Sequence, residues 1–226
     1  MSTTEVKKAP KEGLFSKKNR KLITDPLNDS NPVTVQVLGI CSALAVTVQV
    51  KNAFVMAASV TAVTILGNVL MSLMRNIVPN RIRIIVQLVV VAALVIIVDQ
   101  TLKAFVYDVS KQLSVFVGLI ITNCIIMGRI EAFALGNKPW PSVLDGLGNG
   151  LGYGIVLMTL GVVRELFGSG KLWGAQVLPE SWIYSVNNPD GWYVLNNFII
   201  LPPMALMLVG LYIWIQRARN TKLIES

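Results

Sequence analysis

The chain has 226 residues, 54% of them hydrophobic and only 14% charged, and a mean hydropathy of +0.62. A soluble domain carries nearer a quarter charged residues, so this composition specifies an integral membrane protein. The net charge of +8 does not indicate nucleic acid: seven of the 20 basic residues fall in the first 21 positions, and most others flank apolar runs. That is the pattern that orients a membrane protein. Histidine is absent, which excludes imidazole general bases, histidine-ligated haem and His-rich metal sites. The two cysteines, Cys41 and Cys124, lie inside apolar segments, so a secreted disulfide framework is excluded as well.

Residues 1–31 are polar and basic, with Lys7, Lys8, Lys11, Lys17, Lys18, Arg20 and Lys21 and no apolar periodicity. They read as a solvated tail with an amphipathic stretch near Leu14 and Phe15. Ala43-Leu44-Ala45 resembles a small-x-small cleavage site. The apolar region begins only after 30 residues, however, and Gln36 interrupts it, so no signal peptide is expected.

Six apolar segments follow, at 33–48, 53–74, 82–98, 113–127, 144–163 and 197–215. They predict an all-α protein with six transmembrane helices. Six crossings put the seven basic residues of the tail on one side with Arg75, Arg81, Arg83, Arg129, Lys138, Arg217, Arg219 and Lys222. The opposite side carries Lys51, Lys103, Lys111, Arg164 and Lys171. The positive-inside rule then places both termini in the cytoplasm.

The second segment reads as an ordinary full-length helix with Asn68 inside it and Arg75 snorkelling at its end. The third, rich in Val and Ile, ends at Asp99-Gln100. Glycines recur every four residues in the fifth, as Gly146, Gly150 and Gly154 and as Gly148 and Gly152. No strand precedes them and the G-x-G-x-x-G spacing is not met, so they predict close helix contact rather than a dinucleotide loop. The loop 164–196 carries Trp173, Trp182, Tyr184, Trp192 and Tyr193 and is expected at the outer interface. Pro202-Pro203 should kink or delay the first turn of the last helix.

The first and fourth segments are the shortest, and each opens a group of three. Three crossings per half predict inverted repeats, 32–112 and 113–226, with the matching short segments pointing to a mid-membrane site. Cys41 lies roughly 13 Å and Cys124 roughly 16 Å from opposite surfaces at 1.5 Å per residue, close to the middle of a core about 30 Å thick. A lone cysteine in an apolar helix is most often a small buried hydrophobe. Two of them beside polar residues, Ser42 and Asn123, leave a metal site open as the other reading. Two thiols fall short of the four that a standard iron–sulfur cluster needs, so another chain would have to supply the rest.

The run Leu38-Gly39-Ile40-Cys41-Ser42-Ala43-Leu44-Ala45-Val46-Thr47 resembles the first cysteine motif of the D/E-type membrane subunit family. That family is shared by Na⁺-translocating NADH:quinone oxidoreductases and Rnf electron-transport complexes. Asp108 to Arg129, with Thr122-Asn123-Cys124-Ile125-Ile126-Met127-Gly128 at its core, is similar to the second motif. Arg83-Ile84-Ile85-Val86-Gln87, Val98-Asp99-Gln100, Glu131-Ala132-Phe133-Ala134 and the Asp145–Gly154 run continue the likeness. The stretch Gly148–Gly154 favours the NADH:quinone side over the E-type member of an Rnf complex.

The resemblance implies six helices in inverted three-helix halves, paired with a homologous E-type subunit and joined by the A-, B-, C- and F-type subunits in a bacterial inner membrane. It implies that Cys41 and Cys124 hold half of an intramembrane [2Fe–2S] cluster, while FAD, FMN and riboflavin sit on other subunits. Electrons would pass between flavins towards ubiquinone as Na⁺ is exported. This chain alone would hold no catalytic residue and no nucleotide site. Asp99 and Asp145 are then candidate stations on the Na⁺ pathway, since carboxylate oxygens replace lost hydration. The alternative for Asp145 is a helix N-cap, and for Asp99 a solvated helix end. Arg164-Glu165 is expected to be an interfacial ion pair. A secondary transporter built from inverted halves is the competing function, and a scaffold with inert cysteines is the third.

Overall fold

Three long apolar stretches become the helices on which everything else is hung. The computed structural model describes residues 17–27, 30–79, 81–105, 117–173, 175–176 and 197–219. Helix α1 (Lys17–Thr24) runs into a 3-10 turn, Asp25–Leu27, and α2 is the short Ile40–Val46. Next come α3 (Val50–Met74) and α4 (Arg83–Phe105). The fourth segment is split into α5 (Val117–Ile121) and α6 (Cys124–Arg129), the latter continuing as a π-helical turn, Ile130–Ala134. Helix α7 (Pro139–Ser169) is followed by a two-residue antiparallel pair, β1 (Lys171–Leu172) and β2 (Ala175–Gln176). A 3-10 turn, Asn197–Ile200, leads into α8 (Pro202–Arg219).

Helices α3, α4 and α7 are long and apolar enough to cross a membrane. The other segments are shorter or interrupted. The apolar run 33–48 is not one helix, because Val37 and Gly39 both take positive φ, 58° and 75°, ahead of α2. The fourth segment breaks at Thr122-Asn123, where Asn123 is extended (φ −68°, ψ 120°) and caps the next helix. The fifth segment is longer than its apolar core, starting at Pro139, where proline suits a first helical turn, and ending at Gly170 with φ 67°. Pro202-Pro203 opens α8 rather than kinking it, for the same reason.

The spine is the antiparallel pair α3–α7, and its register is written in glycines. A Cβ on Gly146 would meet Ile65 and Asn68, one on Gly150 Thr61, one on Gly154 Ala57, and one on Gly161 Ala53 and Val50. From Gly146 through Gly150 to Gly154, each step of four residues up α7 is thus a step of four down α3. Between membrane helices the lipid offers no hydrophobic gain, so backbone approach of this kind is the main source of association.

Gly148 and Gly152 form a second stripe on α7, and it serves a different neighbour. A Cβ on Gly148 would lie 2.6 Å from the Leu22 carbonyl oxygen, and one on Gly152 2.5 Å from that of Pro26. Pro26 is buried, and Asn31 is buried with its Nδ2 donating to the Gly152 carbonyl at 3.2 Å. Asn31 Oδ1 meanwhile accepts from Val33 and Thr34 backbone N–H, an Asx turn that carries the chain inward. The described residues 22–27 and 30–31 are therefore docked along α7 and not part of a solvated tail. Leu14 and Phe15 lie outside the described residues.

Contacts along α7 also fix the direction of the short pieces. The first pass climbs from Leu22 beside Gly148 to Thr47 beside Arg164, and α3 starts at Val50 beside Glu165. The fourth pass descends from Asn123 to Arg129 beside Asp145, and on to Asn137, whose carbonyl takes bonds from Ser72 and Arg75. The half-helices α2 and α6 thus start near one level and run apart. Of the expected outer loop, 164–169 is still helix. Trp173 rests against Phe54 with ring centroids 5.8 Å apart, both exposed, as interfacial aromatics do. Trp182, Tyr184, Trp192 and Tyr193 lie outside the described residues, as do Asp108 to Phe116.

Candidate functional site

Both cysteines are free thiols on the surface of the chain, each in the first turn of a half-helix. What brings the two half-helices together is the residue beside each thiol. Asn123, immediately before Cys124, donates from Nδ2 to Ser42 Oγ at 3.3 Å, immediately after Cys41. Asn123 Oδ1 accepts from Ile125 N–H at 3.1 Å, capping α6 in the way an asparagine N-cap does. Ser42 Oγ lies 2.9 Å from the Gly39 carbonyl and 2.7 Å from Tyr153 Oη. A carbonyl only accepts, so the single serine proton goes to Gly39. Tyr153 must then be the donor to Ser42. Ser42, Asn123 and Tyr153 are all fully buried.

Glycine is required at position 39 on two counts. Its φ of 75° is the left-handed region, and a Cβ there would stand 2.6 Å from Ile125 Cδ1 and 3.4 Å from the Tyr153 ring. The break before Cys41 therefore lies flat on the helix that carries Cys124.

Helix α7 holds the far ends of both half-helices as well. Arg164, with no exposed surface, donates to the Leu44 carbonyl at 3.0 Å and Thr47 Oγ1 at 2.6 Å at the end of α2. It also donates to the carbonyls of Ile199 and Ile200 ahead of α8. These are helix-terminal carbonyls, where a cation is favoured. Glu165 turns the other way and accepts the Val50 N–H at 2.6 Å, at the start of α3. The expected ion pair between the two is not formed: each caps a different helix end.

At the opposite end Arg129, closing α6, grips Asp145 through Nε at 3.0 Å and through Nη2. Asn149 Nδ2 adds a third donor to the same carboxylate at 3.1 Å. Asp145 is buried inside α7 and is not its N-cap. Two buried amide oxygens near this end, Asn68 Oδ1 and Asn149 Oδ1, find no donor among the described residues. Asp99 lies far from it, near the end of α4, paired with Lys103 at 2.6 Å. The two candidate carboxylates are thus at opposite ends of the molecule, each held by a cation.

Sequence reasoning singled out the thiols and their neighbours but missed Tyr153 and the central position of Arg164. A lone polar group in mid-span was the available signal for Tyr153. It also missed the join between two of the motifs: Glu131, in the π-helical turn, takes bonds from Arg83 and from buried Gln87 of α4. A π-helical turn is rare and recurs at functional sites. Among the described residues no three His, Cys, Asp or Glu side chains gather as a metal site.

Residues 19–213 match the family described as "Rnf-Nqr subunit, membrane protein". The chain belongs to the Rnf-Nqr family. Two curated relatives of this Rnf-Nqr chain, from Aeromonas hydrophila subsp. hydrophila and Aeromonas salmonicida, are each 56% identical over 207 residues. The match covers 92% of this chain and 96% of each relative. Both relatives bear the name of the D-type subunit of Na(+)-translocating NADH-quinone reductase. The broken-helix site lies wholly inside the span that defines this Rnf-Nqr chain as a family member.

Proposed function

We propose that this chain is the D-type subunit of a Na⁺-translocating NADH-quinone reductase, with Cys41 and Cys124 supplying two of the four ligands of an intramembrane [2Fe–2S] cluster. The identity to subunits of that name along nearly the whole chain supports the assignment to the complex. The observation that carries the cluster is the pairing of the two breaks through Ser42 and Asn123, with both thiols left on the surface. The donor set fits. Two exposed thiols, on half-helices joined by the Asn123–Ser42 bond, are half of what the cluster takes. The other half is assigned to a homologous E-type subunit, in a six-pass arrangement of inverted halves, 32–112 and 113–226, with both termini in the cytoplasm of a bacterial inner membrane. The A-, B-, C- and F-type subunits, with their flavins, complete the assembly.

When bound, the cluster supplies a one-electron station between the flavins of neighbouring subunits. This chain's own part is to hold the thiols and keep water out. Irregular backbone at membrane depth is tolerated only under protein cover. Here Tyr153 and Ile125 cover one side of the break at Gly39, and the partner subunit covers the thiol side. Asp99 and Asp145 remain the proposed stations for Na⁺. At Asp145 passage requires displacement of Arg129, beside amide oxygens of the kind that coordinate hard cations.

The test is Cys41→Ser and Cys124→Ser in the assembled complex. Each should abolish quinone reduction while NADH oxidation by artificial acceptors persists. Retained quinone reduction in either variant would overturn the reading.

A further inference from the structure

We propose that Tyr153 is a positioning residue for the two thiols: with Asn123 it clamps Ser42 Oγ and so fixes the spacing and direction of Cys41 relative to Cys124. The proposal rests on the reading of these cysteines as iron ligands. Its geometry stands apart from that reading. Ser42 Oγ has one proton, given to the Gly39 carbonyl, and two acceptor positions, taken by Tyr153 O–H and Asn123 N–H. All the hydrogen-bonding capacity of this oxygen is used, and each partner is anchored independently of it. Tyr153 stands on α7, whose place against α3 is set by Gly150 and Gly154. Asn123 is held by its cap on Ile125 N–H. Gly39 is held by the close approach of Ile125 and the Tyr153 ring.

Three fully buried side chains must keep these bonds, since a hydroxyl or amide left unpaired in the interior is costly. The thiols, in contrast, are exposed. Their direction is set through the backbone of the neighbouring residue, and the clamp is what fixes that backbone on both sides. Tyr153 touches no reacting atom. It acts through Ser42.

The experiment uses the intact complex with Tyr153→Phe, Asn123→Ser, Ser42→Ala, the double variant Ser42→Ala/Tyr153→Phe, and Thr159→Val as control. Thr159 is an exposed residue of α7 that bonds only its own helix, through the Ile155 carbonyl. The Asn123→Ser variant keeps an N-cap for α6 and loses the reach to Ser42, so it tests the clamp even where Tyr153→Phe fails to assemble. Two quantities are read: the paramagnetic resonance spectrum of the reduced cluster with its rate of iron loss to a chelator, and the yield of Cys41–Cys124 bridging by a short bis-maleimide in iron-stripped membranes, mapped on the peptides of this chain.

The expected result is an altered spectrum and at least threefold faster iron loss in Tyr153→Phe and Asn123→Ser, with no change in Thr159→Val. Bridging yield should shift at least threefold in the same two variants. Adding Tyr153→Phe to Ser42→Ala should have much less effect than Tyr153→Phe alone, because both remove the same Ser42–Tyr153 bond. Unchanged spectra and bridging, or a full additional effect in the Ser42→Ala background, overturn the clamp. A wild-type complex without iron at these thiols overturns the cluster reading instead, and bridging yield then decides the clamp by itself.

Discussion

Asp145 and Asp99 carry the same side chain and both are paired, yet burial separates their energetics. Asp145 is 1% exposed and held by Arg129 and Asn149, so removing the carboxylate leaves a guanidinium stranded inside the protein. Breaking a buried pair from one side costs roughly 3–5 kcal/mol. Lys103 is half exposed where it meets Asp99, and a pair of that kind contributes at most about 1 kcal/mol. Asp145→Ala should therefore lower the melting temperature of the solubilised complex well beyond Asp99→Ala. Equal melting temperatures would mean that the Arg129 contact contributes little. Arg164 allows a parallel comparison. Arg164→Met orphans the carbonyls of Leu44, Ile199 and Ile200, while the Thr47 hydroxyl keeps its bond to the Ala43 carbonyl, an expected loss of roughly 3 kcal/mol. Arg164→Lys keeps the charge without the planar fork and should fall between. The same melting curves measure both variants.

At the scale of elements the two glycine stripes of α7 make opposite demands on neighbouring backbone. Gly150→Ala would press on Thr61, whose hydroxyl is tied to the Ala57 carbonyl, and Gly152→Ala on the carbonyl of Pro26. Overpacking of this kind costs typically about 1–3 kcal/mol. Gly210 in α8 has nothing within 4 Å, so Gly210→Ala should be neutral or slightly stabilising through its better helix propensity. Thermal unfolding of the three variants checks the order. Gly152→Ala should in addition expose residues 22–27 to protease in membranes, since Pro26 docks there. A Gly152→Ala protein as resistant as wild type would contradict the docking.

Over the whole molecule, what could be read in the sequence follows from what side chains announce. The long helices were legible because apolar runs without breakers announce themselves, and the special nature of the first and fourth segments showed in their shortness. Cys41, Cys124, Ser42 and Asn123 were legible as polar or reactive groups where leucine or valine would serve. The docking of Leu22 and Pro26 was not, because it depends on backbone carbonyls meeting bare glycines, and no side-chain pattern signals that. The partners of Arg164 and Asp145 were hidden for a similar reason. Arg164 reaches carbonyls about 120 and 35 positions away, and Arg129 reaches Asp145 across a chain reversal.

The exposed thiols and the broken backbone behind them also bear on assembly. A surface of this kind at membrane depth is stable only under protein cover. Expressed without its partner subunits, the chain should bind no iron and accumulate poorly, as metal analysis and membrane immunoblots would report. The most direct test of the central claim is an iron-sensitive density map of the intact complex. It should show two iron atoms bounded by Cys41 and Cys124 of this chain and two thiols of a homologous partner. Sulfur atoms of Cys41 and Cys124 lying far apart, or close together with no metal between them, would contradict it.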